Sequence, residues 1–160
     1  MRHKREYRYR SGQAGCTRPS INRLHHLSKI GKVEYIRACA FRTVFEDNKQ
    51  PTIRLAVIVR GEKGYARYDG FCWGYGGEGP HGLRRLFDYY RIPVSIATHI
   101  AHELESPDWN RARQYWKLKC NGDCESYELF VYDKDDNITH HTVYELNPVE
   151  AQAVQQLLPV

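Results

Sequence analysis

A chain of 160 residues, 41% apolar and 12% aromatic, is long enough for one sizeable core and short for two. No apolar run approaches the roughly 18 residues of a transmembrane helix, and Met1-Arg2-His3-Lys4-Arg5 leads into further polar residues instead of a signal-peptide core, so we expect neither a membrane-spanning nor a secreted protein. The net charge is +5, yet residues 1–43 hold 11 Lys/Arg against 2 Asp/Glu while the remainder is net acidic, so the positive charge belongs to the front end.

From Met1 to about Lys32 the chain is basic and contains Ser11-Gly12 and Arg18-Pro19-Ser20. Only Ile21, Leu24 and Leu27 show helical spacing. The expectation is a partly mobile basic arm over residues 1–32 with one short helix, followed by a single domain over 33–160.

Val33 to Phe45 alternates β-branched or aromatic residues with small or charged ones, and Thr52 to Arg60 is the clearest strand. Asn48-Lys49-Gln50-Pro51 reads as the turn between them, and Gly61-Glu62-Lys63-Gly64 as the turn into Tyr65–Tyr68. Two amphipathic helices follow, one with the stripe Leu83, Leu86, Phe87, Tyr90 and one with Ile96, Ala97, Ile100, Ala101, Leu104, separated by Pro93. A second strand-rich region runs from Tyr115 to Cys120, through an Asn121-Gly122 turn to Ser126–Tyr132, and through an acidic turn at Asp133–Asn137 to Thr139–Leu146. Asn147-Pro148-Val149-Glu150 has the chemistry of a cap opening a last short helix. The fold class expected is α+β: an antiparallel sheet of two meander regions packed against two central helices, with a short C-terminal helix and the basic arm.

The most specific feature is Phe71-Cys72-Trp73-Gly74-Tyr75-Gly76-Gly77-Glu78-Gly79-Pro80-His81-Gly82-Leu83. Its glycines allow φ > 0 and close approach, and Pro80 suits the start of a helix capped by Gly79. The amides of His81, Gly82 and Leu83 would then point outward at the positive end of the helix dipole, where an anion can sit. Gly74-x-Gly76-x-x-Gly79 matches a dinucleotide fingerprint literally, but the next 20 residues read as helix instead of completing a βαβ unit. Pro80-His81 stands where a P-loop needs Lys-Ser/Thr. A turn that merely packs Trp73 and Tyr75 is the competing reading, and Glu78 favours it, because a carboxylate there repels phosphate unless Arg84, Arg85 or the arm offsets it.

The pattern Phe71-x-Trp73-Gly74-Tyr75-Gly76-Gly77-x-Gly79-Pro80-x-x-Leu83 resembles the signature of a family of small bacterial and phage-borne domains, domain of unknown function six-one-six-six. The resemblance covers this turn alone. It implies a bacterial or phage setting and the importance of the turn, and it transfers no catalytic residue.

Five cysteines, Cys16, Cys39, Cys72, Cys120 and Cys124, are odd in number and irregularly spaced, which points to a reducing, cytoplasmic location and leaves the sequon Asn137-Ile138-Thr139 chemically silent. Cys120-x-x-x-Cys124 with His140 and His141 offers a loose set of zinc ligands, although neighbouring strand histidines point to opposite faces. His99 and His102 share a helix with Glu103 without a second ligand cluster. Arg2, Lys4, Arg5, Arg8 and Arg10, interleaved with Tyr7 and Tyr9, suit nucleic-acid backbone contact plus base stacking. No nucleophile elbow, zinc-protease pair or carboxylate dyad is present, and no cofactor is expected. The leading expectation is a non-enzymatic binder of a phosphate-bearing ligand such as a nucleotide, held by Trp73, Gly74, Tyr75, Gly76, Gly77, Gly79, His81, Gly82, Arg84 and Arg85. A phage protein that sequesters a nucleotide signal of host defence is one concrete version. A nucleic-acid-binding accessory protein using the arm, and a protein-interaction module, are the alternatives, with homo-oligomer formation left open.

Overall fold

Strand alternation decides which side of this sheet is covered. In the computed structural model, which describes residues 5–10, 16–45 and 48–146, β1 (Tyr7–Arg10), β2 (Val33–Phe45), β3 (Asn48–Gly61), β4 (Gly64–Tyr68), β5 (Arg113–Asn121), β6 (Ser126–Tyr132) and β7 (Ile138–Glu145) form one sheet in the order β1-β4-β3-β2-β5-β6-β7. The β1–β4 pair is parallel and all other pairs are antiparallel. The two strand-rich regions are therefore one surface, joined where β2 bonds both β3 and β5.

Ile36, Ala38 and Ala40 on β2, Leu55, Val57 and Val59 on β3, and Trp116 and Leu118 on β5 are buried on one face. Over them lie α2 (Glu78–Tyr89) and α3 (Val94–Thr98), the latter continuing as a π-helical turn over His99–Glu103. The stripe Leu83, Leu86 and Phe87 is fully buried, and the Phe87 ring meets Trp116 at 6.1 Å. Small alanines on β2 let the bulkier Trp116 and the helices close without overpacking. Among the described residues no helix is long and apolar enough to cross a membrane.

Two expectations change. The segment before residue 32 is folded onto the sheet wherever it is described: β1 pairs with β4, α1 (Thr17–Ile21) and a 3₁₀ helix (Leu24–Lys29) follow, and Leu27 and Ile30 are core residues. The physical reason is the apolar content of a segment that its charge conceals. Tyr9 stacks on His26 at 3.8 Å and touches Tyr68, while Tyr68 donates its hydroxyl to the Arg23 carbonyl. Asn48–Pro51 belongs to β3 instead of a turn, beside the register shift between Thr43 and Phe45 where a proline is tolerated. Arg2, Lys4 and the expected last helix after Asn147 lie outside the described residues.

The docking of β1 carries a pH dependence. The Tyr7 hydroxyl and His26 Nδ1 share a hydrogen bond at 2.5 Å, so the docking of β1 helps to enclose the imidazole. Burial holds the His26 imidazole below its ordinary value of 6.5, and the neighbouring His25, Lys29 and Arg23 push the same way. The unfolded imidazole takes its proton near 6.5 and the folded one only at lower pH, so this contribution is full above 6.5 and declines below it. We predict that moving from about pH 7.5 to about pH 5 lowers the thermal midpoint and speeds amide exchange in Tyr7–Arg10, and that His26→Gln removes most of that difference. An unchanged pH response in the variant would assign the effect elsewhere.

Candidate nucleic-acid interface

The glycine turn is held together from inside. Thr17 Oγ1 donates to the Gly70 carbonyl and Ser20 Oγ accepts from the Gly70 amide, pinning the exit from β4. Phe71, Cys72 and Trp73 are then buried without regular structure, with Trp73 edge-on to Tyr115 and Trp116. Gly74 takes φ +89, donates to the Ala101 carbonyl at 2.8 Å and accepts from Ser106 Oγ, and a Cβ there would stand 2.6 Å from the Leu104 carbonyl oxygen. His102 Nδ1 donates to the Tyr75 carbonyl. The glycines thus admit neighbouring protein, not an open cradle.

The expected anion site is reshaped by where α2 begins. Gly77 is its N-cap, in extended conformation, and Glu78 its first residue, so the start lies two residues before the position expected from Pro80. The His81 amide is taken by the Gly77 carbonyl at 3.0 Å, and Gly82 and Leu83 lie further inside the helix. Gly77, Glu78 and Gly79 retain amides without an intrahelical partner, Pro80 having none, and Glu78 brings a carboxylate to the same end. Gly79 packs on Cys72 and Gly82 on Thr17 and Phe71. His81, Gly82, Arg84 and Arg85 line a groove of about 420 Å³ between α1 and α2 together with Arg18, Glu78 and Asp88, while Gly74, Gly76, Gly77 and Gly79 lie outside it. Trp73 is fully buried, whereas Tyr75 is 45% exposed and Gly76 has nothing near it.

The zinc expectation fails on geometry. Cys120 and Cys124 do meet, in the helix-side core: the adjacent Cys120 thiol holds the Cys124 thiol down at about 7, and the same contact pushes Cys120 up. His141, on β7 and two strands from the Cys120 of β5, instead stacks on Phe130 at 4.4 Å. Among the described residues no three metal-ligating side chains gather. His99 pairs with Glu103 at 2.7 Å and His102 serves the turn.

What the strand register does assemble is a face that was not expected. On the side of the sheet away from the helices, one cross-strand row reads Lys119, Tyr35, Arg60, Tyr65, Arg8 from β5 through β2, β3 and β4 to β1. The adjacent row reads Phe130, Lys117, Arg37, Ile58, Arg67, Arg10 from β6 to β1. Arg54 and Phe41 face one another further along. The first row alternates cation and tyrosine across five strands.

The face is also ordered. The Lys117 ammonium lies 4.4 Å from the Tyr35 ring centre, and the Arg67 guanidinium 3.9 Å from that of Phe41. Arg67 donates from Nε and Nη2 to Asp69 at 2.8 and 3.3 Å. Arg60 and Arg8 share Glu6, and the Arg60 guanidinium holds the Glu6 carboxyl below its usual range. Arg37 Nε, by contrast, is buried without a hydrogen-bond partner at the centre of the second row. Arg8 and Arg10 of the expected arm are thus brought to the rim of a larger basic surface, while Arg5 precedes β1. Each of these cations was visible, but only register reveals that positions two apart on five strands share a side. The available signal was the spacing Tyr35-x-Arg37, Tyr65-x-Arg67 and Lys117-x-Lys119. No family model, curated protein or solved structure matches the chain.

The packing role of the glycines is directly testable. A Cβ on Gly82 would stand 2.4 Å from Thr17 Cγ2 and 2.8 Å from Phe71 Cδ1. Gly82→Val is expected to cost about 1–3 kcal/mol as overpacking, seen as a thermal midpoint lowered by several degrees. Gly76→Ala, whose Cβ meets nothing within 4 Å, should melt close to the parent. Equal effects from both would refute this division of roles.

Proposed function

We propose that this protein binds single-stranded nucleic acid on the open face of its sheet. The observation that carries the reading is the row Lys119, Tyr35, Arg60, Tyr65, Arg8, in which cations and aromatic rings alternate across adjacent strands. Phosphates need cations at intervals and unstacked bases need flat rings between them, and sheet platforms of this composition supply both. Arg37, half-buried at the centre of the second row, lines a groove of this face with Arg10, Arg60 and Arg67, where a guanidinium can donate to a phosphate oxygen.

Duplex DNA fits this surface less well. Five strands about 4.8 Å apart make a platform of roughly 19 Å, too broad for a major groove about 12 Å wide that admits a helix or a two-stranded ribbon. A single strand has no such constraint. The rows hold cations and rings and no amide or carboxylate side chain, so affinity more than sequence preference is what they supply. The phosphate-ligand reading of the glycine turn has weaker support, because the free amides at the start of α2 share that end with the Glu78 carboxylate.

Short RNA and single-stranded DNA should bind with a log K against log salt slope steeper than about −3, from four or more contacts at about −0.7 each. Arg37→Gln with Arg60→Gln should flatten it by about 1.4, and Tyr35→Ala should weaken binding at constant slope by about 1–3 kcal/mol for a lost stack. Fluorescence anisotropy over a salt series reads both. Absence of binding at low salt, an unaltered slope in the double variant, or equal affinity for duplex would each overturn the proposal.

A further inference from the structure

A second, half-open site lies where two strands part. β4 pairs with β3 only as far as Tyr68 opposite Val57, and the chain then turns away through Asp69 and Gly70. Among the described residues, Ile53–Ala56 of β3 have no strand partner on that side. The fork encloses about 330 Å³, within the range of small-molecule sites. Its walls include Tyr75 and Trp109, 45% and 57% exposed, whereas Trp73 and Trp116 are buried in the core. Arg54 and Glu78, the first residue of α2, also line the fork.

We infer that this fork is a site for one nucleotide whose base carries an exocyclic amino group, with the base against Tyr75 and Trp109, its amino group on Glu78 and its phosphate on Arg54. Two wet aromatic rings lining one small cavity are what a flat heterocycle stacks on. The polar groups separate the two ends of such a ligand, because a carboxylate only accepts and a guanidinium only donates. Asp69, the other acid lining the fork, already accepts two hydrogen bonds from Arg67, which leaves Glu78 to read the base. Adenine, cytosine and guanine present an amino donor, while uracil presents carbonyl oxygens flanking its one N–H, and these would face the carboxylate. The inference goes beyond the binding of a strand on the open face and needs no contact with the two basic rows.

Titrating the full chain with adenosine, cytidine, guanosine and uridine 5′-monophosphates tests it, following tryptophan emission with calorimetry alongside. Saturable quenching is expected, with uridine monophosphate at least fivefold weaker than cytidine monophosphate. Trp109→Leu should abolish the quenching, since the remaining tryptophans are buried, and Tyr75→Leu should weaken calorimetric binding at least tenfold with native circular dichroism. Glu78→Gln should bring uridine and cytidine monophosphates within twofold while retaining affinity. No saturable binding, quenching that survives Trp109→Leu, or base preference that survives Glu78→Gln would each overturn the inference. Arg37→Gln with Arg60→Gln should leave the monophosphate titration unchanged. Monophosphate binding without oligonucleotide binding would refute the open-face proposal alone, and the reverse result would refute this one alone.

Discussion

Everything in this molecule hangs on β2, the central strand of the seven, which joins the two strand-rich halves. Its pairing with β3 is a local hairpin, whereas its pairing with β5 joins segments far apart in sequence, Tyr35 to Lys119 and Ala40 to Arg113. That second seam aligns the side-chain alternation of both halves. Once Ile36, Ala38 and Ala40 face the helices, Tyr35, Arg37, Cys39 and Phe41 must face the other way, and the register passes that choice to every strand in turn. The basic face is therefore a by-product of core formation: one apolar side is covered, and what alternates with it is displayed.

The connection from β4 to α2 shows how a glycine-rich segment can mislead. Gly74, Gly79 and Gly82 each stand where a Cβ would collide with Leu104, Cys72 or Thr17. Glycine there lets a 12-residue helix approach β4 and α1 closely and lets the chain reverse over a short path. Anion binding needs amides that point at nothing, and here most of them already have partners. The same reversal, by pulling the chain away from β3, is what creates the aromatic-lined fork.

Much of the architecture was readable from the chain. The strands β2 to β7 and the stripe Leu83, Leu86, Phe87 follow from periodicity, because a residue's burial is a local consequence of the period of its own element. The front segment was not readable in the same way. Its charge dominates the composition, while its anchoring depends on Tyr9 against His26 and on Leu27 and Ile30 reaching a core built later in the chain. The candidate interface was legible only as isolated pairs such as Tyr65-x-Arg67, since cross-strand neighbours are set by long-range register. Helix α2 begins before Pro80 because Gly77 and Glu78 can take up the first turn ahead of it, a choice fixed by packing against Cys72 and Phe71.

The β2–β5 seam has a consequence for how the chain is made. Synthesis from the N-terminus delivers β2, β3 and β4 together, and their hairpins can close at once. The far edge of β2 then stays bare until the helices and β5 have left the ribosome, and closing so long a loop is slow. During that interval the nascent chain presents an unpaired row of N–H and C=O groups beside Ile36 and Ala38, the kind of edge on which other chains nucleate. Truncations that end before Arg113 would make this transient state permanent, so fragments of this protein should be far less soluble than their charge suggests.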